Sequence, residues 1–365
     1  MRFENMREDS AAESLCLRLD RGKGESALRI LRQLQLLDGT FKVGRDADEL
    51  LIPLLRELSE EERSLLGTQL RDFKIVKAVL ARRSERPQTI FDALKDRLAP
   101  NQLASLPRSI DIVGDIGIVE LPEELHGLEE IVGDAVLRTN KNIHTVLAKV
   151  GPVFTDKRLR QLQVIAGSGV TETTHKEYGC MFRVDVTKAY FSPRLSLEHD
   201  RVASQVRENE TVVDMFAGIG PFAIQIAKRR KNVRVYAIDV NEDAIRYLQE
   251  NVRLNKVEDK VIVKEGNART IVETYLVEKS DRIIMNLPVQ SARFVDVACL
   301  ALKPAGGIVH YYTFVSDPDP LAKGKEELSE AVLRAGRRLD RILQSRTVKG
   351  TAPHEWLLAL DGFIR

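Results

Sequence analysis

Thr211-Val-Val-Asp214-Met-Phe216-Ala-Gly218-Ile-Gly220-Pro-Phe222 is the stretch on which the fold turns. Its first residues read as a buried apolar strand. Two glycines then make a tight turn, and PFAIQIAKRRK (221–231) continues as a helix. Reading downstream, VRVYAID (233–239) is a second strand. NEDAIRYLQENVRLN (241–255) follows as a helix with Ile245, Leu248 and Val252 on one face and Asn241 at its N-cap. VIVKEGN (261–267), DRIIMNLP (281–288) and GGIVHYYTF (306–314) supply three more strands with helical segments between them. Near-continuous Val/Ile strands alternating with helices predict an α/β domain whose parallel sheet is covered on both faces. A last helix near 322–336 precedes RILQSRTVKG and HEWLLALDGF, which read as a closing antiparallel pair around Pro353.

Upstream, the pattern changes. Residues 24–36 are helical, Asp38-Gly39 marks a turn, and short strands are expected at Phe41–Val43 and Leu50–Pro53. This predicts a small separate module over residues 1–68. The next section opens with DFKIVKAVLARR and contains SIDIVGDIGIVEL (109–121) as a strand, then LRQLQVIAG, VTETTHKEYG and MFRVDVTKAYF as three more. Helical segments early and antiparallel strands late predict an α+β middle domain over 69–190, with the parallel-sheet domain over 191–365.

Composition excludes several classes. The chain has 365 residues, 43% hydrophobic and 30% charged, and no apolar run near the about 18 residues that span a bilayer. The N-terminal MRFENMREDSAAESL lacks the apolar core of a secretory signal, so a cytoplasmic location is expected. Three scattered cysteines without C-x-x-C spacing argue against a disulfide framework, and no histidines pair at metal-ligand spacing, so no metal is expected. A net charge of +2 neither demands nor excludes nucleic acid.

The glycine turn is a ligand cradle by its chemistry: Gly218 and Gly220 let a ligand approach the backbone at a helix N-terminus. Asp239 ends the next strand, where a carboxylate can bond ribose hydroxyls. A dinucleotide site prefers G-x-G-x-x-G, and Ala223 stands at its third glycine position. D-x-F-A-G-I-G-x-F followed by A-I-D-x-N resembles the nucleotide motifs of class I methyltransferases. The resemblance implies S-adenosylmethionine as cofactor, held by Asp214, Phe216, Gly218, Gly220 and Asp239. Asn267 falls where those enzymes usually carry an aspartate near the adenine, and reads equally as a helix N-cap. Asn286-Leu-Pro288 ends the fourth strand with a planar amide suited to reading a base edge, and Asn286 is counted at both the cofactor and the reactive site.

Tyr190-Phe-Ser-Pro-Arg194-Leu-Ser-Leu-Glu198, with IDIVGDIGIVEL upstream and MNLP downstream, resembles the archaeal and eukaryotic tRNA (guanine-N1) methyltransferases that act just 3′ of the anticodon. The resemblance spans nearly the whole chain. It implies a Rossmann-like catalytic domain, a middle domain and an N-terminal module that contacts the outer corner of tRNA. Guanine N1 carries a proton, so its methylation needs a base and a cation to stabilise charge on O6. In the resemblance, Glu198 aligns with the general base and Arg158 with the cation, Arg160 being the alternative. Asn286 would hold the guanine edge and Tyr190 would pack on the base or the cofactor, while His199 reads as a solvated or capping residue. The segment 346–354 resembles a C-terminal hairpin near the RNA, and a monomer is expected. Three rivals stay open: aminocarboxypropyl transfer in the wybutosine pathway, dual methylation of a tricyclic guanine, and a non-catalytic tRNA-binding factor.

Overall fold

The computed structural model describes residues 11–82, 87–150, 161–352 and 354–365. It divides into two compact units, Met1–Pro87 and Gln88–Arg365.

The first unit is an antiparallel sheet of β1 (Ala11–Asp20), β2 (Gly44–Asp46), β3 (Glu49–Pro53) and β4 (Lys74–Ala81), in the order β2-β3-β1-β4. Helices α1 (Gly24–Gln33) and α2 (Glu60–Leu70) bury Ala27, Leu31 and Leu66 against Leu17 and Ile52 of the sheet. A capping box fixes the start of α2: Ser59 Oγ accepts from the Glu62 N–H, and Glu62 accepts from the Ser59 N–H. The boundary expected at residue 68 moves to 87. DFKIVKAVLARR belongs to this unit because β4 pairs with β1 from Lys74 to Ala81. The strand expected at Phe41–Val43 is an isolated bridge at Phe41, and pairing begins at Gly44.

The second unit holds a four-stranded sheet, a two-stranded hairpin and a seven-stranded sheet. The segments α3 (Ile90–Leu94), α4 (Pro100–Ala104) and α5 (Glu129–Thr139) accompany a four-stranded sheet. Its strands are β5 (Asp111–Val113), β6 (Ile116–Val119), β7 (Thr145–Lys149) and β8 (Leu162–Gly167), in chain order. SIDIVGDIGIVEL is therefore a hairpin, because Gly114 takes φ +57° and reverses the chain between β5 and β6.

A second hairpin, β9 (Glu172–Glu177) and β10 (Cys180–Asp185), turns through Tyr178 and Gly179, both at positive φ. It belongs to the core of the large sheet, since Cys180, Phe182 and Val184 pack there with Phe222 and Leu248. The large sheet runs in the order β13-β12-β11-β14-β15-β17-β16. Its parallel strands are β11 (Thr211–Asp214), β12 (Arg234–Asp239), β13 (Val261–Glu265), β14 (Arg282–Met285) and β15 (Gly307–Ser316). The antiparallel pair β16 (Leu339–Ala352) and β17 (Glu355–Ile364) closes the edge as the sequence predicts. Helices α6 (Ser196–Gln205), α7 (Pro221–Arg229) and α8 (Glu242–Leu254) bury one face of the sheet. The opposite face packs on α9 (Ala268–Ile271), α10 (Val295–Ala301) and α11 (Pro320–Arg334).

Helix α8 also fastens the hairpin by imitating a strand. Asn251 and Asn255 are buried, and their amides bond the N–H and C=O of Arg183 and Met181 on β10 at 2.7–3.1 Å. Those backbone groups would otherwise be unsatisfied at the sheet layer.

Candidate functional site

The carboxyl ends of four neighbouring parallel strands place Asp214, Asp239, Asn267 and Asn286 along one edge of the large sheet. This is where open α/β sheets hold ligands, beside the strand from which the order runs both ways.

The glycine loop is built between β11 and α7. Gly218 has φ +54° and Gly220, the N-cap of α7, φ +94°. The backbone conformation favours glycine at 220, and a Cβ there would also press on the Leu248 side chain of α8. Asp239 holds the loop down: its Oδ2 accepts the Gly218 N–H at 2.7 Å and its Oδ1 the Asn241 N–H at 2.9 Å.

Asp214 is fully buried, and neither of its carboxylate oxygens has a well-formed hydrogen bond. Burial pushes its pKa up to about 8; Asp239 adds to the rise and the Phe216 N–H offsets only part of it. Phe216 packs edge-on to Phe294, with ring centroids 5.1 Å apart. The donor-hungry Asp214, the open glycine loop and the half-buried Asp239 fit a ligand that brings an ammonium and ribose hydroxyls. Asn267 caps α9, its side chain accepting the Arg269 N–H at 2.9 Å. Asn286 lies at the end of β14, nearly buried, and the following turn is tied by Ser291 Oγ to the carbonyls of Met285 and Leu287.

The segment from Tyr190 to Glu198 starts at this loop. The Tyr190 carbonyl lies 3.5 Å from where a Cβ on Gly218 would stand, and Asn241 Nδ2 donates to the Lys188 carbonyl at 2.8 Å. Tyr190, Phe191 and Arg194 line a cleft of about 140 Å³ together with Asp111, Lys149 and Lys349. Arg194 is anchored there by an ion pair with Asp111.

The segment ends with Glu198, 1% exposed in the first turn of α6. Its Oε2 accepts from Tyr312 Oη at 2.9 Å and Arg201 Nε at 3.0 Å. Its Oε1 has no hydrogen bond and forms an ion pair with Arg346 Nη1 at 3.2 Å. Burial and then the Glu198 charge push the Tyr312 phenol well up, so it is a donor at neutral pH.

His199 is not a solvated or capping residue. It is buried, and its Nδ1 lies 2.7 Å from Glu177 Oε1, which Gln225 also meets. Arg158 and Arg160 lie outside the described residues. Asn241, Arg201 and Tyr312 join the site without having been singled out for it by motif, and Arg346 opens the segment 346–354 that the resemblance places near the RNA. Only Arg201, three residues after Glu198 on one helix, carried a local signal. Among the described residues no cluster of His, Cys, Asp and Glu is arranged to hold a metal, and no helix is long and apolar enough to cross a membrane.

Comparison with known proteins matches three family models in chain order. They are the tRNA methyltransferase 5 N-terminal domain over residues 16–62, the TYW2 N-terminal domain over 90–171 and the TRM5/TYW2 methyltransferase domain over 173–335. The last begins within the β9–β10 hairpin, consistent with that hairpin's place in the core of the large sheet. The chain is 37% identical, over 95% of its length and 98% of the relative's, to the tRNA (guanine(37)-N(1))-methyltransferase Trm5b of Pyrococcus abyssi. It is similar to the structure of aTrm5 in complex with tRNALeu, with a TM-score of 0.77 and 32% identity over 96% of this chain and 100% of that one. It is also similar to TYW2 of M. jannaschii in complex with AdoMet, with a TM-score of 0.55 and 31% identity over 70% of this chain and 99% of that one.

Proposed function

The chain belongs to the TRM5/TYW2 methyltransferase family, and from that premise we propose that it transfers a methyl group from S-adenosylmethionine to N1 of guanosine 37 in tRNA. S-adenosylmethionine supplies, when bound, an electrophilic methyl group on a sulfonium sulfur. Asp214 and the glycine loop receive its methionine end, with Phe216 beside them, and Asp239 takes the ribose hydroxyls. Asn267 offers only what its capping bond leaves, so we place it at the margin of the adenine site.

The observation that carries the reading is the seat of the 190–198 segment. Tyr190 begins it against Gly218, and Glu198 ends it in a cage of Arg201, Tyr312 and Arg346. A buried carboxylate ending a segment that starts on the glycine loop is suited to take the proton from guanine N1. With that proton taken, the N1 lone pair would be open to the methyl group that S-adenosylmethionine, held by Asp214 and the glycine loop, would supply. The proton stays on Glu198. Asn286 holds the guanine edge, Tyr190 packs against the base, and Arg158, or Arg160 in its stead, neutralises charge on O6. We assign the first unit to the outer corner of the tRNA and the enzyme to the cytoplasm, acting as a monomer.

The reading is tested with labelled S-adenosylmethionine and two unmodified transcripts that differ only in G or A at position 37, the product nucleoside being identified by mass spectrometry. We expect 1-methylguanosine from the first transcript and none from the second. Release of methylthioadenosine in place of S-adenosylhomocysteine would overturn methyl transfer in favour of aminocarboxypropyl transfer.

A further inference from the structure

Behind Glu198 runs a chain of buried charged and polar groups that the proposed reaction does not use. Arg201 bridges two buried carboxylates. Its Nε meets Glu198 Oε2, and its Nη1 and Nη2 meet the two oxygens of Asp361 on β17. Asp361 Oδ1 lies 2.6 Å from His310 Nδ1, and Gln205 donates to its Oδ2 at 3.1 Å. On the far side of the imidazole, Arg282 Nη1 lies 2.8 Å from His310 Nε2.

That contact fixes the state of the histidine. A guanidinium can only donate, so Nε2 carries the lone pair, Nδ1 carries the hydrogen, and His310 is neutral. Burial, which lowers its pKa, agrees. Arg282 in turn is held in a fork by Glu210, at 2.7 and 3.1 Å, and by the Gln205 carbonyl. The result is one orientation of Asp361, and through it one orientation of Arg201. Apolar packing of similar volume stabilises a fold as well as such buried ion pairs do. What the chain supplies in addition is direction.

We propose that Arg201 is the positioning residue of Glu198, itself held by Asp361, His310 and Arg282. Arg201 and Tyr312 immobilise Oε2, so that Oε1 is the oxygen that receives the N1 proton. Of the two arginines on Glu198, Arg201 is 11% exposed and Arg346 36%. Arg346 on the C-terminal hairpin is the partner an incoming RNA can draw off, and the guanine N1–H takes its place at Oε1. The proposal rests on Glu198 being the base.

The test measures single-turnover methyl transfer, together with the affinities for tRNA and S-adenosylmethionine, in the full-length enzyme. Arg201→Gln should lower the rate about 100-fold, with both affinities within about twofold, and Arg201→Lys should recover part of the loss. In a Glu198→Gln background, Arg201→Gln should cost nothing further, because its effect passes through the missing carboxylate. The same slowing in both backgrounds, or a loss confined to affinity, overturns the proposal.

If Arg201→Gln does not fold, Tyr312→Phe removes one bond to Oε2 without unpairing a charge. It should slow wild type about 3- to 10-fold and leave the Glu198→Gln rate unchanged; equal slowing in both overturns the proposal. Should Glu198→Gln by itself run at the wild-type rate, the base assignment fails first. A slow Glu198→Gln enzyme with additive partners would sink only the positioning role.

Discussion

The two halves of the site are built by opposite means. At the proposed cofactor edge the work is done mostly by backbone and near neighbours in sequence: Gly218, Gly220 and Asp239 sit within a single β-α-β passage, the Asp239 carboxylate reaches back 21 residues to the Gly218 N–H, and the longest side-chain bond, from Asn241 to the Lys188 carbonyl, spans 53. Around Glu198 the partners come from across the chain. Tyr312 is 114 residues away, and Asp361, which holds Arg201, lies 160 residues beyond that arginine. The first half is a local turn that a ligand completes. The second is a desolvated charge cluster, which needs the whole sheet to hold it and whose members have little meaning apart from one another. Damage to the first half should therefore appear mainly as lost cofactor affinity, and damage to the second as lost rate.

The sharpest break of that contrast is Glu198→Gln. We expect single-turnover methyl transfer to fall about 100- to 10,000-fold, the range for losing a general base, while cofactor affinity stays within about twofold by calorimetry. A variant that loses cofactor instead would erase the distinction between the halves. Asp239→Ala should do the reverse. It removes charge-assisted bonds of about 1.5–3 kcal/mol, and should weaken cofactor binding about 10- to 100-fold with a smaller change in rate at saturation.

Gly220→Ala asks whether the loop is packing as well as cradle. With φ +94° and a Cβ 2.3 Å from Leu248 Cδ1, it should destabilise the fold by about 1–3 kcal/mol, read from the denaturation midpoint at constant slope.

A separate test of the cradle is a pH dependence at Asp214. Its pKa rises from 3.8 in the ordinary carboxyl to about 8 in the fold. Between those values the folded form keeps a proton that the unfolded chain has lost, so this group's contribution makes stability fall as pH rises through the window and level off above it. Melting temperatures of the ligand-free enzyme from pH 5 to 9 should fall more steeply for wild type than for Asp214→Asn. Parallel curves would mean that the carboxyl is solvated in the free protein.

What could be read in advance follows the same divide. The parallel sheet was legible because its strands are buried on both faces and announce themselves as Val/Ile runs. The glycine loop and Asp239 were legible because a tight turn and a strand-end acid are short-range requirements. The boundary at 68 failed since KIVKAVLA pairs with residues that precede it by about sixty positions, a contact no local pattern carries. His199 failed for a related reason: Glu177, which permits its burial, comes from a hairpin outside its own helix.

By itself, then, the sequence determined the family, the α/β order of the second unit, the glycine turn and Glu198 as the carboxylate that the resemblance aligns with a base. Only the tertiary structure decided that this carboxylate is buried, which of its oxygens is held by Arg201 and Tyr312, and that a neutral His310 stands behind Asp361. The reason is physical. Backbone turns and helix caps are satisfied within a few residues, whereas a buried charge is tolerable only where distant strands bring its partners to hydrogen-bonding distance.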